Sequence, residues 1–292
     1  MRQLINKIIF LFRLEEFLFL FLFTPALISS LTLSEQRFPF LSLEWLSLIA
    51  TTSILLLTIF IKKPFLKVVR DWLPPFFLYA IYVNLHHIIS IINPKDFDPI
   101  FLKIDKIFFG THPTIFLEKI IFSPLTDFLT ICYIFYFFYP LILGLIFYLR
   151  KEFSNFRKYI STVILCFYLG FVGFVLFPAV GPRYTLQDQY TKPLEGCEFT
   201  SNLRDVLDQL EKTKKDCFPS LHNAITLLVF LFFYRYQKKL TLFFLPLVLG
   251  IFLATIYLRY HYFADILAGW TLGLICFMST ADLNKRWKAK GF

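Results

Sequence analysis

Apolar runs about as long as a bilayer is thick dominate this chain, and short basic clusters separate them. The candidate spans cover residues 17–33, 41–60, 72–92, 125–149, 159–178, 219–234, 240–258 and 262–280. A helix needs about 20 mostly apolar residues to cross the hydrocarbon core. The runs therefore predict an all-α, polytopic integral membrane bundle of about eight spans. Composition agrees, with 57% hydrophobic residues, 17% charged residues and a mean hydropathy of +0.64. That is too little polar material to cover a water-facing domain. Disorder, collagen, coiled coil and a disulfide-stapled mini-protein are excluded on the same grounds.

The formal net charge is +10. The basic residues sit in short clusters between apolar runs, which excludes nucleic acid as a partner and fits the positive-inside rule. With a cytoplasmic N-terminus, the inner loops are 1–16, 61–71, 150–158, 235–239 and 281–292, and they hold 18 of the 30 Lys and Arg residues. Both termini are then expected in the cytoplasm. Glu15 and Glu16 interrupt the first apolar stretch and no small-x-small site follows, so this segment reads as a retained helix.

Two outer segments are not spans. Residues 93–123 alternate charge with bulky apolar groups at helical spacing and suit an amphipathic helix on the interface, with Asp105 organising it through a basic neighbour. Residues 179–218 form a loop of 40 residues, a length usually functional or disordered, and within it NLRDVLDQLEKTKK reads as a short polar helix. Cys197 and Cys217 both lie in that loop, where an oxidising compartment would allow a disulfide. Cys132, Cys166 and Cys276 lie inside spans and read as inert packing. No Cys-x-x-Cys or His-x-x-x-His arrangement is present, so no metal site is expected. His86 and His87, in the third span beside Asn84, read as helix-packing or cleft-lining residues, and Asp71 and Asp127 as interfacial.

Three clusters carry chemistry, and the topology puts all three at the outer face. Phe177-Pro178-Ala179-Val180-Gly181-Pro182-Arg183-Tyr184 offers in Arg183 a fixed cation whose planar fork suits phosphate. Cys217-Phe218-Pro219-Ser220-Leu221-His222 opens the sixth span. Free N–H groups and the dipole there favour an anion, Ser220 adds a hydroxyl, and His222 can give a proton to a leaving oxygen. In Arg259-Tyr260-His261-Tyr262-Phe263-Ala264-Asp265, His261 and Asp265 are four apart and share a helix face. A carboxylate there can hold one imidazole nitrogen and leave the other as nucleophile. Gly269 and Gly273 continue the stripe and would let a neighbouring helix pack closely. Each cluster alone also fits a bland account: a snorkelling Arg, a capped helix start, or a His–Asp bond fixing a helix end. Together they make an anion site with a nucleophile and an acid.

Pro219-Ser220-Leu221-His222, then His261-Tyr262-x-x-Asp265 about forty residues later, with Gly181-Pro182-Arg183-Tyr184 upstream, resembles the type 2 phosphatidic acid phosphatase superfamily. More narrowly it resembles the branch that holds inositol phosphorylceramide synthases. The stretch around Asp105 is also similar to that branch. The resemblance covers residues 72–280. It implies a six-helix catalytic core preceded by N-terminal membrane helices over 1–71 and followed by a basic tail over 281–292.

It further implies metal-independent, cofactor-free phosphoryl transfer through a phosphohistidine, acting on a phosphorylated lipid. By motif position His261 is the nucleophile, Asp265 its orienting carboxylate and His222 the acid and base. Arg183, Ser220 and Arg259 hold the phosphate. The superfamily's usual first motif has a Lys seven positions before an Arg-Pro pair, and Leu176 stands there instead; its third motif usually has Ser-Arg well before the His, and Ala254 and Thr255 occupy those places. These departures favour the synthase-like branch. Water or an alcohol such as inositol remains open as acceptor. The rival readings are a lipid or solute transporter using His86 and His87 as a relay, and a structural protein carrying a remnant motif.

Overall fold

The computed structural model describes residues 12–33, 43–210 and 214–288. Among them every regular element is a helix. In chain order these are α1 (Leu14–Leu33), α2 (Leu43–Phe60), α3 (Pro64–Trp72), α4 (Pro74–Ile92), α5 (Asp98–Phe109), α6 (Pro113–Phe116), α7 (Ser123–Phe135), α8 (Tyr139–Leu149), α9 (Phe153–Leu176), α10 (Pro182–Thr185), α11 (Glu198–Leu210), α12 (Leu221–Tyr236), α13 (Lys238–Tyr257) and α14 (Phe263–Lys288). The side chains of His86 and His87 lie outside the described residues, as do residues 289–292 of the basic tail.

Among the described residues, α9 and α13 are long and apolar enough to cross a membrane, and α7 with α8 makes a third candidate if the bent pair is one span. Shorter apolar stretches occupy Trp45–Phe60, Pro74–Leu85, Leu221–Tyr236 and Phe263–Ser279. The run expected as one continuous span over 125–149 is broken, its halves bent by 47°. Pro140 explains the break: it has no N–H to return to the Tyr136 carbonyl, and its ring crowds the preceding turn. The hydrophobic pattern runs straight through this point, so the sequence reading missed it.

The helix α12 is central, packing on α8, α9, α13 and α14. Its Ala224, Ile225, Leu228, Val229 and Phe233 are fully buried. The N-terminal helices α1 and α2 pack on α4, which leans on α9. At the end of the bundle where α1 begins, charges are paired rather than exposed. Arg157 meets Glu15 at 2.5 Å, Arg70 meets Glu16 at 2.6 Å and Arg13 meets Asp71 at 2.7 Å. Asp71 also accepts from the Tyr148 hydroxyl at 3.2 Å, so it is a buried tie and not the interfacial residue the sequence suggested. Buried carboxylates persist only with such partners, because an uncompensated charge in this environment is costly.

Within the segment 93–123 expected as an amphipathic helix lies α5, and the polar helix expected over 202–215 is α11, which starts four residues earlier; residues 211–213 of that reading lie outside the described residues. The glycine stripe does what its spacing predicts. A Cβ on Gly269 would stand 2.4 Å from the Ser220 carbonyl oxygen, and one on Gly273 would stand 2.5 Å from that of Ala224. The backbones of α12 and α14 therefore touch. Gly269→Ala and Gly273→Ala should each destabilise the protein by about 1–3 kcal/mol through overpacking. Gly144→Ala is the control, since its Cβ would meet nothing nearer than 3.5 Å. Thermal unfolding in detergent should show a lowered midpoint for the first two and none for the third.

Candidate active site

The site is built where the N-terminus of α12 meets the turn between α13 and α14. Ser220 is the N-cap of α12: its hydroxyl oxygen accepts from the Asn223 amide at 3.4 Å and the Asn223 side chain at 3.0 Å. That cap leaves the Ser220 proton to donate. Asn223 also donates to the Thr255 hydroxyl at 3.0 Å, tying α12 to α13. The Thr255 carbonyl accepts the amides of Tyr260 and His261 at 3.1 and 3.0 Å, folding the chain back at the end of α13. Arg259 makes this turn in the left-handed region, at φ +67°.

This turn brings the two imidazoles together. Nε2 of His261 lies 3.4 Å from Nδ1 of His222. Which nitrogen carries the proton follows from the tautomer, not from the geometry. His222 is walled by rings: Tyr133 stacks on it at 4.5 Å, Tyr136 lies at 4.3 Å and Phe137 closes the edge at 6.3 Å. These residues flank the break between α7 and α8, so the break shapes the wall. His222 Nε2 is buried and has no partner among the described residues.

On the other side of His261, Nδ1 faces Asp265 Oδ2 at 3.5 Å. That is longer than a firm hydrogen bond. The same oxygen accepts from the Tyr262 amide at 2.9 Å and from the Cys217 thiol at 2.8 Å. Asp265 thus closes one half of a capping box at the start of α14 while lying within reach of the imidazole. Its Oδ1 is buried and unpartnered among the described residues. A small rotation of the carboxylate would shorten the His261 contact, so capping and orienting are compatible.

The disulfide between Cys197 and Cys217 is corrected by the structure, which has both thiols free. Cys217 is buried with its sulfur on Asp265, 3.4 Å from the Tyr260 carbonyl oxygen and 3.5 Å from His261 Nδ1. Burial, with the nearby Asp265 charge, pushes its thiol well up. Cys197 is exposed, and its amide donates to Asp127 at 2.8 Å. Common loop membership had suggested the bridge, but the loop carries the two sulfurs to different anchors.

The predicted phosphate cations lie in a separate compartment. Arg183 pairs with Asp208 of α11, and its guanidinium lies 4.7 Å from both the Tyr184 and Tyr260 rings. Arg259 donates to Glu118 at 2.9 Å and lies 3.8 Å over the Tyr190 ring, with its Nε buried and unpartnered among the described residues. Although burial opposes it, hydrogen bonds from Thr191 and Lys192 and the Arg259 charge hold the Glu118 carboxyl below its usual range. Arg183, Arg259, Lys192, Tyr184, Tyr190 and Asp208 line a cavity of about 510 Å³. Neither imidazole lines it. The compartments connect through stacked rings, Tyr260 on Tyr133 at 4.5 Å and Tyr133 on His222.

Two carboxylates of α5, seven residues apart, hold the turns of the candidate site from outside. Asp98 accepts from the amides of Val180 and Gly181 at 2.7 and 2.8 Å and from the Tyr262 hydroxyl at 2.7 Å. Gly181 stands at φ +93°, where a Cβ would lie 2.8 Å from the Tyr260 carbonyl oxygen. Asp105 accepts from the Phe263 amide at 3.1 Å, so its partner is a helix start and not the basic neighbour expected from sequence. Asp98 and the aromatic wall were missed by sequence reasoning: no spacing rule links them to segments 40 or more residues away. Cys217, three positions before Ser220 in the same motif, was visible and was assigned elsewhere.

Burial pushes the carboxyls of Asp98 and Asp105 up to about 6 from 3.8. The folded protein therefore takes up protons near pH 6 that the unfolded chain takes up nearer pH 4, and these groups add stability as pH falls across that window. The double variant Asp98→Asn with Asp105→Asn should lose that acid-side gain, read as a smaller rise in unfolding midpoint between pH 7.5 and pH 5. Alkylation mapped by mass spectrometry should modify Cys197 in the folded protein, leave Cys217 untouched, and find no bridged peptide.

Over 125 residues the chain is 30% identical to a PA-phosphatase related-family protein of Dictyostelium discoideum, a match covering 42% of this chain and 23% of that relative. The chain thus spans less than a quarter of that relative's length. No solved structure gives a significant match. The sequence profile of the PAP2 superfamily matches residues 112–279, which contain His222, His261, Asp265 and both arginines, while Asp98 and Asp105 lie upstream. That match takes in more than half of the chain, and with the site it encloses it shows that this integral membrane protein belongs to the PAP2 superfamily.

Proposed function

We propose that the protein is a membrane lipid phosphatase or phosphotransferase working through a phosphohistidine on His261. One observation carries this reading: two imidazoles from distant segments face each other at 3.4 Å, with a buried carboxylate behind one of them. Membership of the PAP2 superfamily supports it, as does the name of the Dictyostelium relative.

In the first half-reaction Nε2 of His261 bonds to phosphorus as the bond from phosphorus to the lipid oxygen breaks. His222 gives its proton to that oxygen. In the second, water passes a proton to His222 as its oxygen attacks phosphorus. The nitrogen–phosphorus bond breaks and inorganic phosphate leaves. Asp265 stabilises the charge that develops on the His261 ring. At 3.4 Å the two nitrogens leave no room for a phosphorus atom between them, so substrate entry has to part the rings. Ser220, the free amides at the α12 N-terminus, Arg183 and Arg259 are the ligands assigned to the phosphate oxygens. The unpartnered Arg259 Nε supports that role.

A head-group transferase, with inositol or another alcohol replacing water, is the second reading. The cavity of about 510 Å³ beside Arg183 and Arg259, with Gln187, Thr191 and Lys192 in its lining, favours it, because it would seat such an acceptor. In either reading residues 72–280 are the catalytic unit. The site faces the periplasm, exterior or lumen and both termini are cytoplasmic, as the distribution of Lys and Arg supports.

Purified protein should release phosphate from phosphatidate or a polyprenyl diphosphate and be inhibited by vanadate. His222→Ala should lower the rate by about 10²–10⁴, and His261→Ala should abolish it. Unchanged turnover in His261→Ala would remove the mechanism. Product analysis with labelled inositol decides between the two acceptors.

A further inference from the structure

The mechanism uses His261, Asp265 and His222 and leaves Cys217 without a task. Yet its sulfur touches the two groups that set the nucleophile. Cys217 Sγ, His261 Nδ1 and Asp265 Oδ2 all lie within 4.8 Å of one another, and all three residues are buried. The edges of this triangle are 3.5 Å from sulfur to Nδ1, 3.5 Å from Nδ1 to Oδ2 and 2.8 Å from sulfur to Oδ2.

A tetrahedral ion with zinc's bond lengths sets a sulfur–nitrogen edge of about 3.5 Å and a nitrogen–oxygen edge of about 3.3 Å. Two edges therefore already have nearly the right length. The third, now a thiol–carboxylate hydrogen bond, opens by about 0.7 Å when the ion replaces the proton. The Tyr260 carbonyl oxygen, 3.4 Å from the same sulfur, has the length of a further edge. One further observation points to a ligand. Asp265 Oδ1 is fully buried with no partner among the described residues, so the carboxylate has unused capacity for a cation.

We propose that Cys217, His261 and Asp265 form a binding site for a thiophilic divalent cation of the zinc class, and that its occupation switches the enzyme off. Binding forms metal–sulfur, metal–nitrogen and metal–oxygen bonds and releases the thiol proton to solvent, with no change of oxidation state. It takes the Nδ1 lone pair of His261, so that the ring proton moves to Nε2 and occupies the attacking nitrogen, and it diverts Asp265. The imidazole then has no carboxylate to carry the charge that develops as Nε2 attacks phosphorus. The loss of activity rests on the phosphohistidine reading; the binding does not.

The test uses the full chain in detergent with Cys197→Ser, which removes the exposed thiol. Titration with Cd²⁺ should give the ultraviolet charge-transfer band of a cadmium thiolate, saturating at one ion per chain. The band should vanish in Cys217→Ala. Zinc-edge X-ray absorption of the Cys197→Ser protein, in which the triad is intact, should report one sulfur among nitrogen and oxygen ligands. Phosphate release should be inhibited by Zn²⁺, and the concentration for half-inhibition should rise roughly 10-fold or more in Cys217→Ser. A band unchanged in Cys217→Ala, no band at all, or two sulfurs at the zinc edge (which would assign the ion to Cys166 and Cys276) would overturn the site. Saturated binding with full activity would overturn the switch. A cadmium band in a protein inactive on every phosphorylated lipid would leave the site standing and remove the phosphatase reading instead.

Discussion

The close approach of α12 to α14 is the constraint on which the site depends. Glycines at 269 and 273 let the backbone of α14 rest on the carbonyls of Ser220 and Ala224. In a bilayer, lipid tails are as apolar as leucine, so helices associate through such packing and through polar ties more than through the hydrophobic effect. The contact also sets distance. His222 lies in the first turn of α12, and His261 sits just before α14. A side chain at either glycine would move the helices apart by a fraction of the 3.4 Å that separates the two rings.

Buried carboxylates form a second tier. Asp98, Asp105 and Glu118 each accept from backbone amides of a segment distant in sequence. Each is expensive to bury alone, and each is satisfied by groups that would themselves be unsatisfied without it. The outcome is mutual dependence. The loop before Arg183, the turn after α13 and the start of α14 are fixed from outside by one helix, α5. The paired charges of Arg13, Arg70 and Arg157 with Asp71, Glu16 and Glu15 serve the other end of the bundle in the same way.

What was legible in the sequence follows from range. The His261–Asp265 spacing, the Gly269–Gly273 stripe, the polar helix read over 202–215 and found at Glu198–Leu210, and the outer helix around Asp105 are local patterns whose own members lie within a few turns of one another. They could be read directly. Arg183 and Arg259 were recognised as cations suited to phosphate, but their carboxylate partners, Asp208 and Glu118, lie 25 and 141 residues away. The bend at Pro140 left no trace in hydropathy because both of its arms are apolar. Glu15 and Glu16 looked like interruptions of an apolar run, since the arginines that neutralise them come from other helices. Cys217 shows the same limit within a motif: its neighbours in sequence are Asp216 and Phe218, and its neighbours in space are His261 and Asp265.

The division of the site into two compartments has a mechanistic consequence. His261 is buried and His222 half-buried behind Tyr133 and Tyr136, while the arginines line an open cavity on the far side of Tyr260. A phosphate held by Arg183 or Arg259 in this arrangement has not reached His261. Tyr260 is the hinge between the two, since its ring carries the Arg183 guanidinium on one side and Tyr133 on the other, and its carbonyl lies against Cys217. Arg183 is held to Asp208 from α11, so an anion competing for that guanidinium would loosen the outermost contact of the stack first. In the proposed mechanism, binding energy from the head group would part the rings of His222 and His261 so that phosphorus could pass between them. On this view the short distance between the two nitrogens is the resting state of a gate, and charge on the substrate is what opens it.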